Sequence, residues 1–401
     1  MALLFLGSVV NYLDRAVLGV LMPSIRHDLG LTNTGYAMAV NAFLVTYTLS
    51  YIAGGRVADL LGCRRTFSLT LLVWSAAATL HAAARGIWSL AACRALLGIG
   101  EGGYYPAAIR GAAEWFPPAQ RAKAIGLVLS ALSVGSLLTP PVSAWLALAY
   151  GWRIAFLATG AFGLLLIPPW LALHNRIRRE LGSADPAPAI AVPTSGDQDS
   201  GGPALQTALR SRSYVCLLLA RACSDSAWYF YLFWMPGYFQ DVRGLGLAAI
   251  GQWLWIPFLA AGLGALFGAW LSSELIARGW GLDRGRRSVL VASAAVSAAG
   301  AATCVVPGFA AALGLVSVAL FAHTSWSSNL HTAITEVAPP RHVAVLYGIT
   351  GAAGTLGGVA MQSVVGPLVD RFGYDLPFLL TGGLYLTAAG LIIRGVRLRQ
   401  D

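Results

Sequence analysis

Charged residues are scarce in this 401-residue sequence, where Asp, Glu, Lys and Arg make up 11% against about 25% in soluble domains. Lysine occurs once, as Lys123, and no GxxxxGK[ST] surrounds it, so the phosphate-binding loop of ATP-driven pumps is absent. The motifs HExxH and GxSxG are also missing, which argues against metallopeptidases and serine hydrolases. We therefore expect no catalytic residues and no enzyme.

Cysteine is also sparse, with five residues and no CxxC pair. Such scattered cysteines favour neither a metal centre nor a disulfide framework and are best interpreted as small apolar packing residues. We predict no bound metal and no cofactor.

Apolar residues dominate instead, at 57% of the chain with a mean hydropathy of +0.67. A membrane-spanning helix needs about 20 mostly apolar residues, and the sequence offers twelve such segments. The predicted fold is therefore an all-α integral membrane protein in the lipid bilayer. The expected helices lie near residues 2–24, 35–55, 67–84, 87–110, 123–147, 153–174, 213–239, 247–275, 288–306, 310–335, 343–369 and 373–396.

The net charge of +10 does not indicate nucleic-acid binding, because the basic residues fall between apolar segments rather than in one patch. With the N-terminus placed inside, about 19 Arg and Lys residues lie in inner loops and the tail, and about five in outer loops. Cytoplasmic loops carry such an excess of basic residues. The pattern predicts that both termini are cytoplasmic.

Residues 175–212 differ in composition from the rest and include "SADPAPAIAVPTSGDQDSGGP". Pro, Gly, Ser and Asp at this density are typical of a flexible linker. The predicted domains are a six-helix bundle at 1–174, this cytoplasmic linker, and a second six-helix bundle at 213–401.

The two predicted bundles share a repeat. When residues 114–160 are shifted by 222, fourteen of 47 positions are identical to those of 336–382, including four Gly, two Pro and one Glu. A parallel repeat of six-helix halves is typical of one transporter architecture, in which the substrate site lies between the halves near the midplane.

The segment "GRVADLLGCRR" (55–65) resembles the motif between the second and third helices of the major facilitator superfamily. Asp59, Arg64 and Arg65 fit the motif and are implied to take part in gating or structural ion pairs. Leu60 departs from it, since a basic residue is usual there.

Further segments resemble the anion:cation symporter family within that superfamily, and the last two are most like its hexuronate transporter branch. The resemblance implies the major facilitator fold, a sugar-acid substrate, proton coupling, a monomer and a bacterial inner (plasma) membrane location. The segments are "NYLDR" (11–15), "RALLGIGEGGYYPAA" (94–108), "EWFPPAQRAKAIG" (114–126), "GWRIAF" (151–156), "AWYFYLFWMPGYF" (227–239) and "HTSWSSNL" (323–330).

Two charges in the first predicted helix are costly, since a charge at the bilayer centre costs about 2.5–3.5 kcal/mol on insertion scales. Consecutive helical residues point about 100° apart, so Asp14 and Arg15 face different ways, whereas Asn11 and Tyr12 flank Arg15 on its own face. Guanidinium binds carboxylate bidentately. We predict an anion-binding site at Arg15, Asn11 and Tyr12, with a structural ion pair as the alternative, and proton coupling at Asp14. The resemblance adds Tyr47 to the substrate site, with interfacial packing as its alternative.

Arg94, Gly98 and Glu101 lie on one face of the fourth predicted helix at spacings of four and three residues. A carboxyl group in a low-dielectric environment retains a proton more readily, so Glu101 is our first choice as the proton carrier. A structural pair of Glu101 with Arg94 is the alternative. Gly102 and Gly103 permit close helix contact.

The repeat sets His323 at the position of Glu101. Histidine can change its protonation state near physiological pH, although a neutral hydrogen-bonding role is the alternative. Trp326 and Asn329 lie on nearly the same face and could offer an apolar wall and an amide to a sugar acid. We predict that His323, Trp326 and Asn329 bind substrate.

Arg221 and Asp225 form an i, i+4 pair on the seventh predicted helix, which we interpret as structural or gating. The run "YGITGAAGTLGG" (347–358) has a face of small residues that suits close helix contact.

The leading hypothesis is a secondary transporter that imports a hexuronate such as glucuronate or galacturonate with protons by alternating access. Another organic anion, namely an aldonate, aldarate or aromatic carboxylate, and coupling to sodium remain alternatives. A non-transporting sensor is disfavoured, because the linker is too short to form an output domain.

Overall fold

The structure, a computed structural model, describes residues 2–115, 118–180, 202–339 and 342–398. These residues form helices joined by short turns, and no β-strand occurs among them. The helices of the first half are α1 (Ala2–Val20), α2 (Met22–Leu29), α3 (Asn33–Leu80), α4 (Ile87–Gly102), α5 (Tyr104–Trp115), α6 (Pro118–Tyr150), α7 (Trp152–Leu165) and α8 (Ile167–Glu180). Those that follow are α9 (Gly202–Arg210), α10 (Arg212–Asp241), α11 (Leu247–Trp253), α12 (Trp255–Ala277), α13 (Leu282–Ala298), α14 (Phe309–Val337), α15 (Val343–Phe372) and α16 (Asp375–Gly395).

Ten helical segments within the described ranges are long and apolar enough to cross a membrane. Two further segments fall where the sequence predicts the fourth and seventh membrane helices. The fourth is interrupted at Gly103, between α4 and α5, and the seventh is α10, which carries Arg221 and Asp225. The predicted helices are therefore all represented.

Two of these spans lie along α3, namely Asn33–Gly54 and Leu60–Ala83, the second of which extends just past the end of the helix at Leu80. The direction of α3 changes at Gly62, whose φ of 74° and ψ of 166° are not helical. A positive φ is readily adopted only by glycine, so Gly62 allows the chain to turn near the start of the second span.

The predicted linker is more helical at its ends than we expected. Helix α8 continues to Glu180, and α9 occupies Gly202–Arg210. The prediction of flexible chain over all of 175–212 is wrong at these two ends. The intervening residues 181–201 lie outside the described residues, so the proposed linker stays a prediction there.

The chain forms two compact units. One comprises the described residues of Met1–Val192 together with Phe233–Trp255, and the other those of Pro193–Leu232 together with Ile256–Asp401. Helix α10 is thus shared between the units, whereas the sequence assigned all of it to the second bundle.

Specific contacts attach Phe233–Trp255 to the first unit. The Tyr36 hydroxyl donates to the Phe233 carbonyl at 3.0 Å, and Arg26 pairs with Asp241 at 2.8 Å. These polar contacts, which no local pattern encodes, explain the difference from the predicted domain boundary.

The internal repeat has a counterpart in helix packing within each unit. A β-carbon at Gly135 of α6 would lie 2.8 Å from the Val9 carbonyl oxygen of α1. Its repeat partner Gly357 of α15 would lie 2.4 Å from the Ala222 carbonyl oxygen of α10. The repeat-related glycines therefore allow equivalent helix pairs to approach closely.

A second pair of repeat-related glycines behaves in the same way. A β-carbon at Gly160 of α7 would lie 2.5 Å from Thr79 Oγ1, and one at Gly382 of α16 would lie 2.8 Å from Ala301 Cβ. Thr79 and Ala301 are themselves 222 residues apart, so both partners in these contacts follow the repeat.

Candidate functional site

A buried ion pair joins α1 to α4 in the first unit. Arg15 Nε donates to Glu101 Oε2 at 2.9 Å, and Arg15 Nη2 lies 2.8 Å from the same oxygen. The Arg15 side chain is 9% exposed and that of Glu101 is fully buried. The predicted anion-binding guanidinium and the predicted proton carrier are therefore direct partners.

Three aromatic rings surround the Arg15 guanidinium. Its central carbon lies 4.5 Å from the ring centroid of Tyr47, 5.5 Å from that of Phe43 and 5.8 Å from that of Tyr12. Arginine over an aromatic face gains a cation–π attraction, which is strongest where water is excluded. Tyr12 and Tyr47, both predicted site residues, thus contact Arg15, and Phe43 is an addition that the sequence reasoning missed.

Close packing of α4 on α3 places these groups together. A β-carbon at Gly98 would lie 2.5 Å from the Phe43 carbonyl oxygen, and one at Gly102 would lie 2.7 Å from the Tyr51 backbone nitrogen. Only glycine fits at such distances. The two glycines bring the backbone of α4 against the turns that carry Phe43 and Tyr47.

Asp14 points away from Arg15, as the helix geometry predicts. Its carboxylate is fully buried near Thr159 and Trp74, but neither oxygen lies within good hydrogen-bond geometry of a donor among the described residues. The amide of Asn11 is likewise buried without a hydrogen-bond partner in the described part of the chain. Polar groups left in this condition are costly, which marks both residues as functional candidates.

Arg94 is a second fully buried guanidinium on α4. It lies over the Phe43 ring at 4.6 Å, and its nitrogens have no hydrogen-bond partner among the residues described. The alternative pairing of Arg94 with Glu101 is not observed, because seven residues along a helix separate them by about 10 Å. Arg94 instead brings a second positive charge to the ring that already faces Arg15.

The four buried charges in the described part of the first unit balance. Two carboxylates, Asp14 and Glu101, accompany two guanidiniums, Arg15 and Arg94. Only Arg15 and Glu101 meet directly. A proton or a bound anion would therefore change the balance of the cluster, which suits a coupling site.

In the second unit, His323 is held between two aromatic side chains. Its Nδ1 lies 2.6 Å from the Tyr385 hydroxyl, and its ring stacks on Trp228 with centroids 4.9 Å apart and planes 13° apart. His323 is 5% exposed and Tyr385 is fully buried, whereas Trp228 is partly exposed. Trp228 and Tyr385 were not predicted, although Trp228 lies in the quoted segment 227–239.

The Arg221–Asp225 ion pair is present at 3.3 Å. Arg221 also donates to Thr350 Oγ1 at 3.3 Å and lies over the Tyr347 ring at 5.2 Å. A β-carbon at Gly354 would overlap the Asp225 carboxylate. The pair thus links α10 to α15, and its structural or gating role stays a prediction.

A sequence profile described as the Major Facilitator Superfamily matches residues 4–281, more than half of the chain. This chain belongs to the Major Facilitator Superfamily. Proteins of this superfamily are membrane transporters, so the chain is a multi-pass membrane transporter and not an enzyme, as predicted.

Curated proteins with related sequences carry specific names. The chain is 27% identical to the hexuronate transporter of Escherichia coli (strain K12) over 385 residues, covering 93% of this chain and 88% of the relative. It is also 27% identical to the D-galactonate transporter of Escherichia coli O6:H1 over 408 residues, covering 98% of this chain and 92% of that relative.

A solved structure supports the predicted fold. It is that of a bacterial homologue of the human lysosomal transporter Spinster, described as inward-facing and occupied. It matches with a TM-score of 0.75 at 18% identity and covers 98% of this chain and 93% of that one. The predicted all-helical major facilitator fold is therefore confirmed.

Two predicted substrate ligands of this superfamily member are buried in helix packing. Trp326 is fully buried in the apolar core of the second unit with Leu330 and Tyr385. The Asn329 amide donates to the Gly268 carbonyl at 2.9 Å and to the Ser325 carbonyl at 3.0 Å. The Asn329 amide thus links α14 to α12, whereas Trp326 Nε1 has no hydrogen-bond partner among the described residues. Substrate binding by either residue stays a prediction.

The superfamily motif at 55–65 is described only in part. Arg64 and Arg65 follow the bend at Gly62, and the Arg64 carbonyl accepts a hydrogen bond from Trp170 of α8 at 3.4 Å. The Asp59 side chain lies outside the described residues. In the second unit, Arg286, at the repeat position of Arg64, pairs with Glu336 at 3.1 Å.

Proposed function

We propose that this Major Facilitator Superfamily member imports a sugar-acid anion, a hexuronate such as glucuronate or galacturonate, together with protons. The resemblance to a hexuronate transporter over most of both chains supports the substrate class. The buried contact of Arg15 with Glu101 carries the proposal for coupling. In a bacterial cell the protein would act as a monomer in the inner membrane, with both termini in the cytoplasm.

Competition for Arg15 provides the coupling step. While Glu101 is ionised, its Oε2 occupies the guanidinium. A proton on Glu101 removes that negative charge, and the guanidinium then becomes available to a substrate carboxylate, which it can bind bidentately. Proton and anion would therefore load together, and alternating access would carry both across.

The other predicted residues have roles consistent with this scheme. Asp14 is the second proton-binding group. Tyr12 and Tyr47 hold Arg15 in position through their rings, and Asn11 offers an amide to substrate hydroxyls. His323, with Trp228 behind it, is the substrate-binding group of the second unit.

Replacing Glu101→Gln tests the proposal, because the amide keeps the shape of the side chain and cannot ionise. In proteoliposomes we expect the variant to lose pH-driven accumulation of labelled glucuronate while retaining counterflow exchange. Glu274→Gln is the matched control, since Glu274 pairs with Arg278 on an exposed helix end. Accumulation that persists in Glu101→Gln would refute proton coupling at this residue.

An aldonate is the second candidate, favoured by equal identity to a D-galactonate transporter. Competition of labelled glucuronate uptake by galacturonate, galactonate, glucarate and benzoate would rank hexuronate against aldonate, aldarate and aromatic carboxylate. Replacing sodium by choline at constant pH distinguishes proton coupling from sodium coupling. Uptake that disappears without sodium would assign the coupling to sodium.

A further inference from the structure

A cavity of about 470 Å³ lies at one end of the second unit, remote in sequence from the buried charges described above. It opens where the span Leu282–Cys304 begins and where the span Asp375–Gly395 has just ended. Both boundaries place the cavity where a membrane meets water. The lining residues are Gly281, Asp283, Arg284, Arg287, Arg397 and Leu398.

Hydrogen bonds that Asp283 accepts organise this cavity. Asp283 Oδ2 accepts from Arg287 Nη1 at 2.9 Å, and Oδ1 accepts from the Leu398 backbone nitrogen at 2.8 Å. Arg287 Nη2 also donates to the Ile393 carbonyl at 2.7 Å. The start of α13 and the segment after α16 are therefore held together, and Arg287 has a fixed position.

The segment that carries Arg397 is held by a second contact. The Arg397 backbone nitrogen donates to Ser213 Oγ at 3.0 Å, at the start of α10. The Arg397 side chain is exposed. The backbone beneath this guanidinium is thus anchored, whereas its charged end is accessible from the cavity.

Positive charge exceeds negative charge in this cavity. Among the described residues that line the cavity, three guanidiniums, those of Arg284, Arg287 and Arg397, face one carboxylate, that of Asp283. The first backbone N–H groups of α13 lie at the same place, and the N-terminus of a helix favours an anion. A site with this excess suits a ligand that carries one or two negative charges.

An aromatic side chain marks the boundary between lipid and water. Arg284 lies over the Trp280 ring at 4.5 Å, and Trp280 is partly exposed just before α13. Tryptophan is enriched at the headgroup level of membranes. A ligand in this cavity would therefore be reachable from the headgroup layer.

We propose that this cavity binds a phosphate group, carried either by the headgroup of an anionic phospholipid or by a soluble phosphate. Basic pockets at membrane helix ends bind anionic headgroups, and the position of this cavity at two span ends favours the lipid source. The proposal is independent of the transported substrate, because the buried charges of α1 and α4 take no part in it.

Titration of purified protein in detergent with dioleoyl phosphatidylglycerol, followed by the shift in unfolding temperature, tests the proposal. We expect Arg397→Gln to weaken apparent affinity about fivefold, from about 1 kcal/mol per basic residue near an anionic surface. Arg284→Gln, an exposed position where folding is not at risk, should weaken it by a similar factor. Arg278→Gln is the control, since its side chain is 71% exposed and lies outside the cavity.

Two further ligands distinguish the sources. Stabilisation by phosphatidylglycerol and not by inorganic phosphate assigns the site to lipid, whereas stabilisation by inorganic phosphate that Arg397→Gln abolishes assigns it to a soluble phosphate. Equal stabilisation by phosphatidylcholine and phosphatidylglycerol would overturn the proposal. Equal losses of apparent affinity for phosphatidylglycerol in Arg278→Gln and Arg397→Gln would overturn it as well, because they would reveal only a general attraction of the lipid to surface charge.

Discussion

In the proposed mechanism, Arg15 is the residue on which anion recognition and proton coupling converge. It touches Glu101 through a single carboxylate oxygen, and the other oxygen, Oε1, has no hydrogen-bond partner within the described residues. A pair joined in this way is incomplete, because a buried carboxylate needs its remaining lone pairs satisfied. Incomplete pairing is consistent with the proposed exchange of Glu101 for a substrate carboxylate at Arg15.

Substitution of Arg15 by lysine tests the importance of guanidinium geometry separately from that of charge. Arg15→Lys retains one positive charge but loses the planar fork and the stacking on Tyr47. We expect the apparent KM for glucuronate exchange in proteoliposomes to rise by about tenfold or more, the loss of one charge-assisted hydrogen bond. Arg278→Lys, at an exposed site, should leave KM unchanged. An unaltered KM in Arg15→Lys would remove Arg15 from the substrate site.

Sequence reasoning could identify the buried charges but not all of their partners. Asp14, Arg15, Arg94 and Glu101 are conspicuous because charge is rare in apolar helices. The partnership of Arg15 with Glu101 depends on how α1 and α4 rotate against each other, and side-chain spacing along one helix does not encode that. Aromatic partners such as Phe43 carry no local signal, since aromatic residues are frequent throughout the chain.

At the scale of helices, the repeat makes a prediction with its own internal control. Gly135 and Gly357 occupy equivalent crowded contacts, whereas a β-carbon at Gly126 or Gly348, also 222 residues apart, would meet nothing within 4 Å. Overpacking a close contact costs about 1–3 kcal/mol. The pair Gly135 and Gly357 and the pair Gly126 and Gly348 therefore differ in the space around the α-carbon, although all four residues are glycines related by the repeat.

Alanine at each of the four positions should therefore divide them into two classes. We expect Gly135→Ala and Gly357→Ala to lower the unfolding temperature in detergent and to slow exchange. Gly126→Ala and Gly348→Ala should leave both unchanged. Similar behaviour of all four variants would argue against equivalent packing in the two repeats.

A salt bridge outside the membrane-spanning segments makes a pH-dependent prediction. Asp28, at the end of α2, accepts hydrogen bonds from Arg153 and from Trp152 Nε1, the latter at 3.0 Å. The Arg153 hydrogen bond, and after it that of Trp152, lowers the pKa of Asp28 below its ordinary value. The contacts of ionised Asp28 therefore stabilise the folded protein fully above the ordinary pKa of the carboxyl group, and this stabilisation is lost as pH falls through the lowered pKa of the folded state.

The measurement is the unfolding temperature of wild type and Asp28→Asn from pH 7 to pH 3. Wild type should be the more stable near neutrality, and the difference should shrink below about pH 4, where the carboxyl gains a proton. A difference that grows as pH falls would contradict the assigned sign.

Helix positions were largely predictable, because long apolar runs bounded by Gly, Pro and charges are strong signals. Two features of the fold could not be predicted from the sequence. Helix α9 lies in polar sequence that suggested a linker, and its formation depends on packing of Leu205 and Leu209 near Tyr214. The grouping of Phe233–Trp255 with the first unit depends on contacts such as that of Tyr36 with Phe233, which are distant in sequence.

For the whole molecule, the buried charges described above bear on the energetics of the proposed import. An anion entering a negative-inside cell is opposed by about 2.3 kcal/mol per charge per 100 mV. One proton cancels the charge of a monovalent hexuronate, so that only the pH gradient drives accumulation. A second proton adds a net positive charge, and the membrane voltage then contributes as well.

Two buried acids that do not share a partner lead us to expect two protons per anion. A potassium diffusion potential of about 100 mV, inside negative and at equal pH, should then raise steady-state glucuronate accumulation by about 50-fold. Asp14→Asn should remove this response while a pH gradient still drives uptake, because Glu101 remains next to Arg15. Wild-type accumulation that ignores voltage would limit coupling to one proton and leave Asp14 a structural role.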